Sequence, residues 1–463
     1  MLNPNVIERV LTAALTFGGD FSEVYVERTK LSSLTAINGV IESASTGIDL
    51  GIGIRVLKGI RSVYVYSNDI SEETLVRLAQ NASRSLLETP DKQHVIMNDC
   101  MIYNSSRPLI LPLSVSQKTK ADVLRLASSR AKAFNEMITQ TSSSYADMDR
   151  DIIIANSDGN YVTDHRVRTR FMIDAVATLG DEKQTGYFAP GGNGGFEFIE
   201  SLPIETLADD AARVAVTMAT AGPCPSGRFP VVIGNGFGGV IFHEACGHAL
   251  EASSVGIGAS VFVGKMGTRI ASDIVTAIDD PTMDGEWGSF SVDDEAVVPE
   301  RHVLIQDGIL KGYLIDRIGA RRMNTTPNGA GRRQNYRFAP TSRMSNTFID
   351  AGADTHDQII KDTPYGIYAA NMGGGSVEPS TGEFNFSVNE AYMIRDGKLA
   401  EPVRGATLIG KGHEILMNID RVGNNRKFAQ GMCGSYSGSV PTNVGQPTIR
   451  VSEITVGGQK DDL

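Results

Sequence analysis

Two imidazoles and a carboxylate stand within six residues in Phe242-His243-Glu244-Ala245-Cys246-Gly247-His248. That is the side-chain set a hydrolytic metal site needs. Histidines on a helix hold a divalent cation through ring nitrogens, and a glutamate beside the first can take a proton from a water that the cation activates. Seven histidines and 54 acidic residues in 463 positions give a chance expectation of roughly 0.01 for such a pattern, so accident explains it poorly. A neutral hydrogen-bonded cluster is the structural alternative for the same three residues. The spacing is wider than in the zincin motif. Histidines four apart lie about 40° apart around a regular helix, whereas His243 and His248, five apart, lie about 140° apart. Two devices would reunite them: a π-bulge, or a loosening at Gly247 that lets His248 swing back.

Two histidines leave the coordination incomplete, because zinc in hydrolases commonly takes three protein ligands and keeps the fourth position for water. The histidine and cysteine candidates are His94, His165, His302, His356, His413, Cys100, Cys224 and Cys433. Cys433 stands out in Gly431-Met432-Cys433-Gly434, whose flexible backbone can carry a thiolate to a metal. His413, in Lys411-Gly412-His413-Glu414, is its rival. Residue type alone leaves the choice open.

The elements that must position these groups are legible in outline. Ile7 to Leu15 has helical apolar spacing, with Asn3 or Asn5 to cap it and Gly18-Gly19 to stop it. Strands are expected over Ser22 to Glu27 and Leu34 to Ser45, and a hairpin over Leu50 to Tyr66 about Lys58-Gly59. Ser71 opens a second helix. Residues 88–114, with prolines at 90, 108 and 112, read as an irregular connector. A helix over Leu113 to Phe134, antiparallel strands from Met137 to Phe198 turning at Asp158-Gly159-Asn160, and a helix over Pro203 to Ala221 follow. Strand Phe229 to Ile233 then leads through Gly234-Asn235-Gly236 into the histidine helix. Without a following Gly-Lys-Ser/Thr those glycines read as a strand-to-helix turn and not as a phosphate loop. Beyond it, Asp307-Gly308, Asp396-Gly397 and Asn424-Asn425 punctuate β-rich runs. Gly373-Gly374-Gly375 reads as a bulge or turn, and Asp293-Asp294-Glu295 as a surface acidic run. Arg332 and Arg333 read as ion-pair residues, a solvated face or carboxylate binders. The expected fold is α+β. An N-terminal mixed helix and antiparallel-sheet region spans 1–222, and a β-rich, barrel-like catalytic region spans 223–463 and carries the metal-binding helix.

The chain resembles the TldD/PmbA (TldD/TldE) metallopeptidases. The likeness rests on His243 to Glu251 (HEACGHALE), Ile305 to Tyr313 (IQDGILKGY), Asn328 to Arg333 (NGAGRR) and Tyr365 to Gly375 (YGIYAANMGGG). It continues in Gly405 to Gly410 (GATLIG), Gly445-Gln446-Pro447 and Thr455 to Gly458, and more loosely in Asp49 to Lys58 (DLGIGIRVLK). The resemblance implies that His243, His248 and Cys433 bind the metal and that Glu244 is the catalytic acid/base. TldD-like members carry a Cys-Gly pair matching Cys433-Gly434, and the intact histidine motif marks the catalytic, TldD-like branch. It further implies an unfolded peptide or leader segment as substrate, one divalent cation, zinc, per catalytic subunit, and an inactive TldE/PmbA-like partner subunit or a homodimer.

Composition is consistent with that expectation. A net charge of −11 and an isoelectric point near 5.2 disfavour a general nucleic-acid or anionic-membrane surface, which wants clustered Lys and Arg. No basic segment followed by an apolar one stands near Met1-Leu2-Asn3-Pro4, and no apolar run reaches the roughly 18 residues of a membrane span. Four cysteines without CxxC spacing fit a reducing compartment, so a cytoplasmic location is expected. Two other readings use the same residues: a metal-dependent hydrolase of a non-peptide amide, and a regulatory protein with structural zinc.

Overall fold

Asn3 accepts the amide of Asn5 at 2.9 Å and so opens α1 (Pro4–Leu15). The structure is a computed structural model and describes residues 2–86, 94–378 and 380–458; Pro90 and the start of the expected connector lie outside these. Next come β1 (Phe21–Ile37), β2 (Val40–Lys58), β3 (Arg61–Ser67) and α2 (Glu72–Arg84). The hairpin at Lys58-Gly59 falls where the sequence puts it. Leu34 to Ser45, by contrast, is not one strand. It turns at Asn38-Gly39, both at positive φ (49° and 79°), and so joins strands of 17 and 19 residues.

The connector also differs from its expectation, since it holds a short strand, β4 (Met101–Asn104). Helix α3 (Gln117–Phe134) starts later than Leu113 because Ser116 caps it, accepting the Thr119 amide at 3.1 Å. Then follow β5 (Ile138–Asn156), β6 (Tyr161–Leu179), β7 (Glu182–Phe188), β8 (Gly191–Gly192), α4 (Phe196–Ser201) and α5 (Ile204–Thr220). The strands form one sheet in the order β3-β2-β1-β5-β6-β4, with β7 and β8 also on β6. Strand periodicity divides its two faces. Val24, Val26, Ile153 and Ala155 pack beneath α1 and α2, while Tyr25, Ile152 and Ile154 point the other way, against Val292 and Tyr336 of the C-terminal half.

That half begins with β9 (Gly222–Pro223), β10 (Gly227–Ile233), α6 (Val240–Ala245) and α7 (Ala252–Val255). It continues through β11 (Ala277–Asp279), β12 (His302–Gln306), β13 (Ile309–Leu310), α8 (Arg317–Met323), β14 (Gly331–Arg332), β15 (Thr341–Ser342), β16 (Asn346–Ile349) and α9 (His356–Lys361). The last stretch is β17 (Tyr365–Glu378), β18 (Glu383–Arg395), β19 (Lys398–Arg404), β20 (Thr407–Lys411), α10 (Gly412–Asn418), β21 (Ile419–Val422), β22 (Lys427–Ser435), β23 (Gly438–Gln446) and β24 (Ile449–Gly457). Strands β17-β10-β24-β20-β18 close into a ring through a β17–β18 pairing, giving the five-stranded barrel of this α+β fold. Register slips between Ala369 and Gly375 make the glycine-rich stretch a bulged part of β17. A second sheet runs β13-β12-β11-β16-β23-β22. Helix α6 packs on β17 and β18 of the barrel and on β16 and β23 of this sheet, so it is wedged between two rigid layers.

The two halves meet across buried charge. Asp293, Asp294 and Glu295 are not a surface run; all three are at most 2% exposed. Arginines from both halves answer Asp294 and Glu295, while Asp293 accepts the amides of Glu295, Val297 and Gly331. Arg55 reaches Glu23 at 2.7 Å and Glu295 at 2.6 Å, Arg166 reaches Asp294 at 2.8 Å, and Arg333 reaches Glu23 at 2.6 Å. Arg333 is thus an ion-pair residue of the junction. Arg332, equally buried, donates to the carbonyls of Met344 and Pro441. Buried pairs of this kind add little net stability but are costly to break singly, so they fix how the halves dock. Among the described residues no helix is long and apolar enough to cross a membrane.

Candidate metal centre

Helix α6 ends at Ala245 because Cys246 leaves helical geometry, at φ −133° and ψ −47°, and a 3₁₀ turn takes over from Gly247 to Leu250. The loosening therefore starts one residue before Gly247, and no π-bulge forms. Gly247 matters through its missing side chain, since a Cβ there would lie 2.2 Å from Met344 Sδ. The break turns the two imidazoles toward each other, with ring centroids 4.9 Å apart and planes at 78°.

Cys433 comes to the same place from the middle of β22, paired to Val440 of β23. Its Sγ lies 3.2 Å from His243 Nε2 and 3.3 Å from His248 Nε2. All three donor atoms fall within 4.8 Å of one another, across a gap of 185 residues between His248 and Cys433. Burial alone would raise the Cys433 thiol, but the facing His243 and His248 rings outweigh it and hold the thiol well below its ordinary range. His248 is raised well above the ordinary imidazole value: burial opposes this, and Glu251 followed by Cys433 overcome it.

Donor type and number fit a zinc-like cation. Imidazole nitrogen and thiolate are the borderline and soft ligands such a metal prefers, and bonds of about 2.0–2.3 Å imply donor separations of about 3.5 Å. The two sulfur–nitrogen separations, 3.2 and 3.3 Å, are close to that. Glu244 stands beside the set, its Oε2 3.7 Å from His248 Nε2, with a side chain 22% exposed.

Two supporting contacts carry no signal in the spacing. Glu251 Oε2 accepts from His248 Nδ1 at 3.0 Å, and its Oε1 accepts the Met344 amide at 3.3 Å. Arg343 donates to the Cys433 carbonyl and, at 2.9 Å, to Ser437 Oγ, pinning the turn that carries the thiol. The remaining candidates lie elsewhere. His165 pairs with Asp149 at 2.9 Å, His356 contacts Thr448, and His302 and Cys224 are buried outside the cluster. Cys100 is exposed, as is His94. His413 begins α10 and does not join the donors.

Sequence models of the PmbA/TldA metallopeptidase domain 1, central domain and C-terminal domain match residues 22–86, 110–219 and 226–458. The chain belongs to the PmbA/TldD metallopeptidase family. It is 34% identical over 452 residues to a "Metalloprotease TldD homolog" of Haemophilus influenzae, covering 95% of this chain and 93% of that one. Among solved structures it superposes on a putative modulator of a DNA gyrase from Thermotoga maritima with a TM-score of 0.80 at 20% identity, covering 98% and 99% of the two chains. It likewise superposes on TldE from Thermococcus kodakarensis with a TM-score of 0.75 at 20% identity, covering 98% and 100%. This PmbA/TldD chain is thus a metallopeptidase by family, a hydrolase whose fold is shared by distant relatives.

Proposed function

We propose that the chain is a zinc-dependent peptidase acting on unfolded peptides or leader segments. In this reading His243, His248 and Cys433 hold the zinc and Glu244 is the general acid/base. The observation that carries it is the convergence of three donor atoms within 4.8 Å, beside a carboxylate that is not one of them. Three protein ligands leave a coordination position free, which separates this arrangement from a closed structural site. The zinc, when bound, supplies Lewis acidity and makes water a better nucleophile near neutral pH.

The chain's own residues supply the proton movement and the fixed geometry. Glu244 accepts a proton from the attacking water and passes it to the departing amine nitrogen, so no covalent acyl intermediate is required. Glu251 orients His248, and Arg343 holds the strand that bears Cys433. A thiolate ligand gives the set one negative charge, making a milder Lewis acid than three neutral imidazoles would. It also suits a reducing, cytoplasmic setting. The same reading treats 1–222 as a supporting domain and 223–463 as the catalytic one, with a TldE-like subunit or a second copy as partner. The TldE structure that shares this fold supports such an assembly.

Glu244→Gln keeps size and hydrogen bonding but removes the base. Peptide turnover is expected to fall by about 10²-fold or more while metal content, measured on the same preparation, is retained. Undiminished turnover would refute the assignment.

A further inference from the structure

Behind the Cys433 strand, on the face opposite the thiol, lies a cavity of about 340 Å³. Its floor is the N-terminal sheet, with Met148 from β5 and Arg168, Arg170 and Met172 from β6; Trp287 and Met432 cover it from the C-terminal half. The volume is at the low end of small-ligand pockets, about 300–1,000 Å³. The rest of the lining is mostly apolar, with Ser144 and Asp147 its other polar members.

Those guanidiniums are unusual because no carboxylate answers them. Arg168 is 4% exposed and donates only to backbone carbonyls, from Nε to Trp287 O at 3.0 Å and from Nη2 to Ser289 O at 2.8 Å. Arg170 does the same, to Ala189 O at 3.4 Å and Gln430 O at 3.2 Å, with its guanidinium 5.5 Å from the Trp287 ring centre. Among the described residues neither has an ion-pair partner, in contrast to Arg55 and Arg166 of the same sheet and Arg333 of the facing half. The nearby Asp147 carboxylate is engaged by Lys120 at 2.6 Å. Burial, then the neighbouring Arg166 and Arg332, pull Arg168 well below the ordinary arginine range. Buried charges are normally paired, so a site built this way favours an anion with an apolar body.

We propose that this cavity receives the free C-terminal carboxylate of a peptide whose last residue is apolar. The carboxylate is held by Arg168 and Arg170, and the side chain lies among Met148, Met172, Trp287 and Met432. The choice of a peptide rests on the peptidase reading above. Met432, 47% exposed at the cavity's edge, is the residue next to Cys433, which places the pocket one strand's thickness from the proposed metal site. Peptide hydrolysis creates new C-terminal carboxylates, and a receptor for them would hold a product or the trailing end of a longer substrate.

Trp287 is the chain's single tryptophan, so its fluorescence reports the cavity directly. N-acetyl-Leu-Leu would be titrated as the free acid and as the amide against the purified full chain, with octanoate as a third ligand. The expected result is a saturable Trp287 signal with the acid at least about tenfold tighter than the amide. That preference should be lost in Arg170→Gln and partly kept in Arg170→Lys, with Arg168 untouched so that the junction stays intact. Equal binding of acid and amide, no response to either, or an unchanged preference in Arg170→Gln would overturn the proposal. Octanoate binding without peptide binding would overturn the peptide assignment. The readout is binding and not cleavage, so failure here leaves the Glu244 chemistry standing, and failure of the Glu244 test leaves the cavity standing.

Discussion

The surroundings of His243 and His248, the two proposed ligands, are not equivalent. Among the described residues His243 Nδ1 is buried without a hydrogen-bond partner, whereas His248 Nδ1 faces Glu251 at 3.0 Å. A carboxylate behind a ligating imidazole fixes its tautomer, turns the other nitrogen to the metal and raises its basicity. Glu251→Gln keeps the acceptor for the Met344 amide but removes that charge. Metal affinity is therefore expected to weaken by about 10–100-fold, read by competition with a chelating indicator. Unaltered affinity would make Glu251 a packing residue only. The local half of the site was readable from sequence because His243, Glu244 and His248 are neighbours in the chain. Cys433 was not, since the Gly-rich context of a lone cysteine left it level with His413 and only family resemblance separated them. Glu251 stood in the quoted motif, yet nothing in a spacing of three tells which ring nitrogen a carboxylate will face.

At the scale of elements, turn chemistry was the most legible signal and burial of charge the least. Lys58-Gly59, Asp158-Gly159, Asp307-Gly308 and Asp396-Gly397 all mark chain reversals, and Asn38-Gly39 is a turn of the same kind hidden by the long strands on either side. Asp293-Asp294-Glu295 looked solvated because its counter-ions, Arg55, Arg166 and Arg333, are remote in sequence. That junction carries a pH-dependent contribution to stability. Asp316 caps α8 by accepting the Gly319 amide at 3.2 Å, and burial, followed by the neighbouring Glu295, pushes its carboxyl up from 3.8 to about 7. The folded state then keeps a proton that the unfolded chain releases above about pH 4. This contribution is full below the unfolded pKa and is lost as pH rises through about 7. Asp316→Asn retains a good cap and removes the titration. Between about pH 4 and pH 7.5, urea unfolding should show the variant gaining on the native chain by on the order of 1 kcal/mol or more. A constant difference across that range would show that Asp316 ionises normally in the folded protein.

At the scale of the molecule, the long N-terminal strands carry apolar side chains that the other described residues leave exposed. Leu31 and Val40 are 44% and 62% exposed on one face of β1 and β2. A contiguous exposed apolar patch marks an interaction face, and here it lies on the N-terminal sheet that packs against the C-terminal half. A partner seated on that face, a TldE-like subunit or a second copy, would border the proposed site, since Leu31 and Met432, the neighbour of Cys433, line one cavity. Cleavage is therefore expected to depend on assembly and to be selective for flexible chains. A folded domain would have to lose its roughly 5–15 kcal/mol of stability before a segment could enter such a chamber. The measurement compares a flexible peptide with a stable globular protein, each incubated with the isolated chain and with the assembled complex, oligomeric state being established in parallel. The flexible peptide should be cut and the folded protein spared, with the rate rising on assembly. A chain shown to be monomeric that cuts both substrates equally would instead have an open cleft, and the apolar strands would need another occupant.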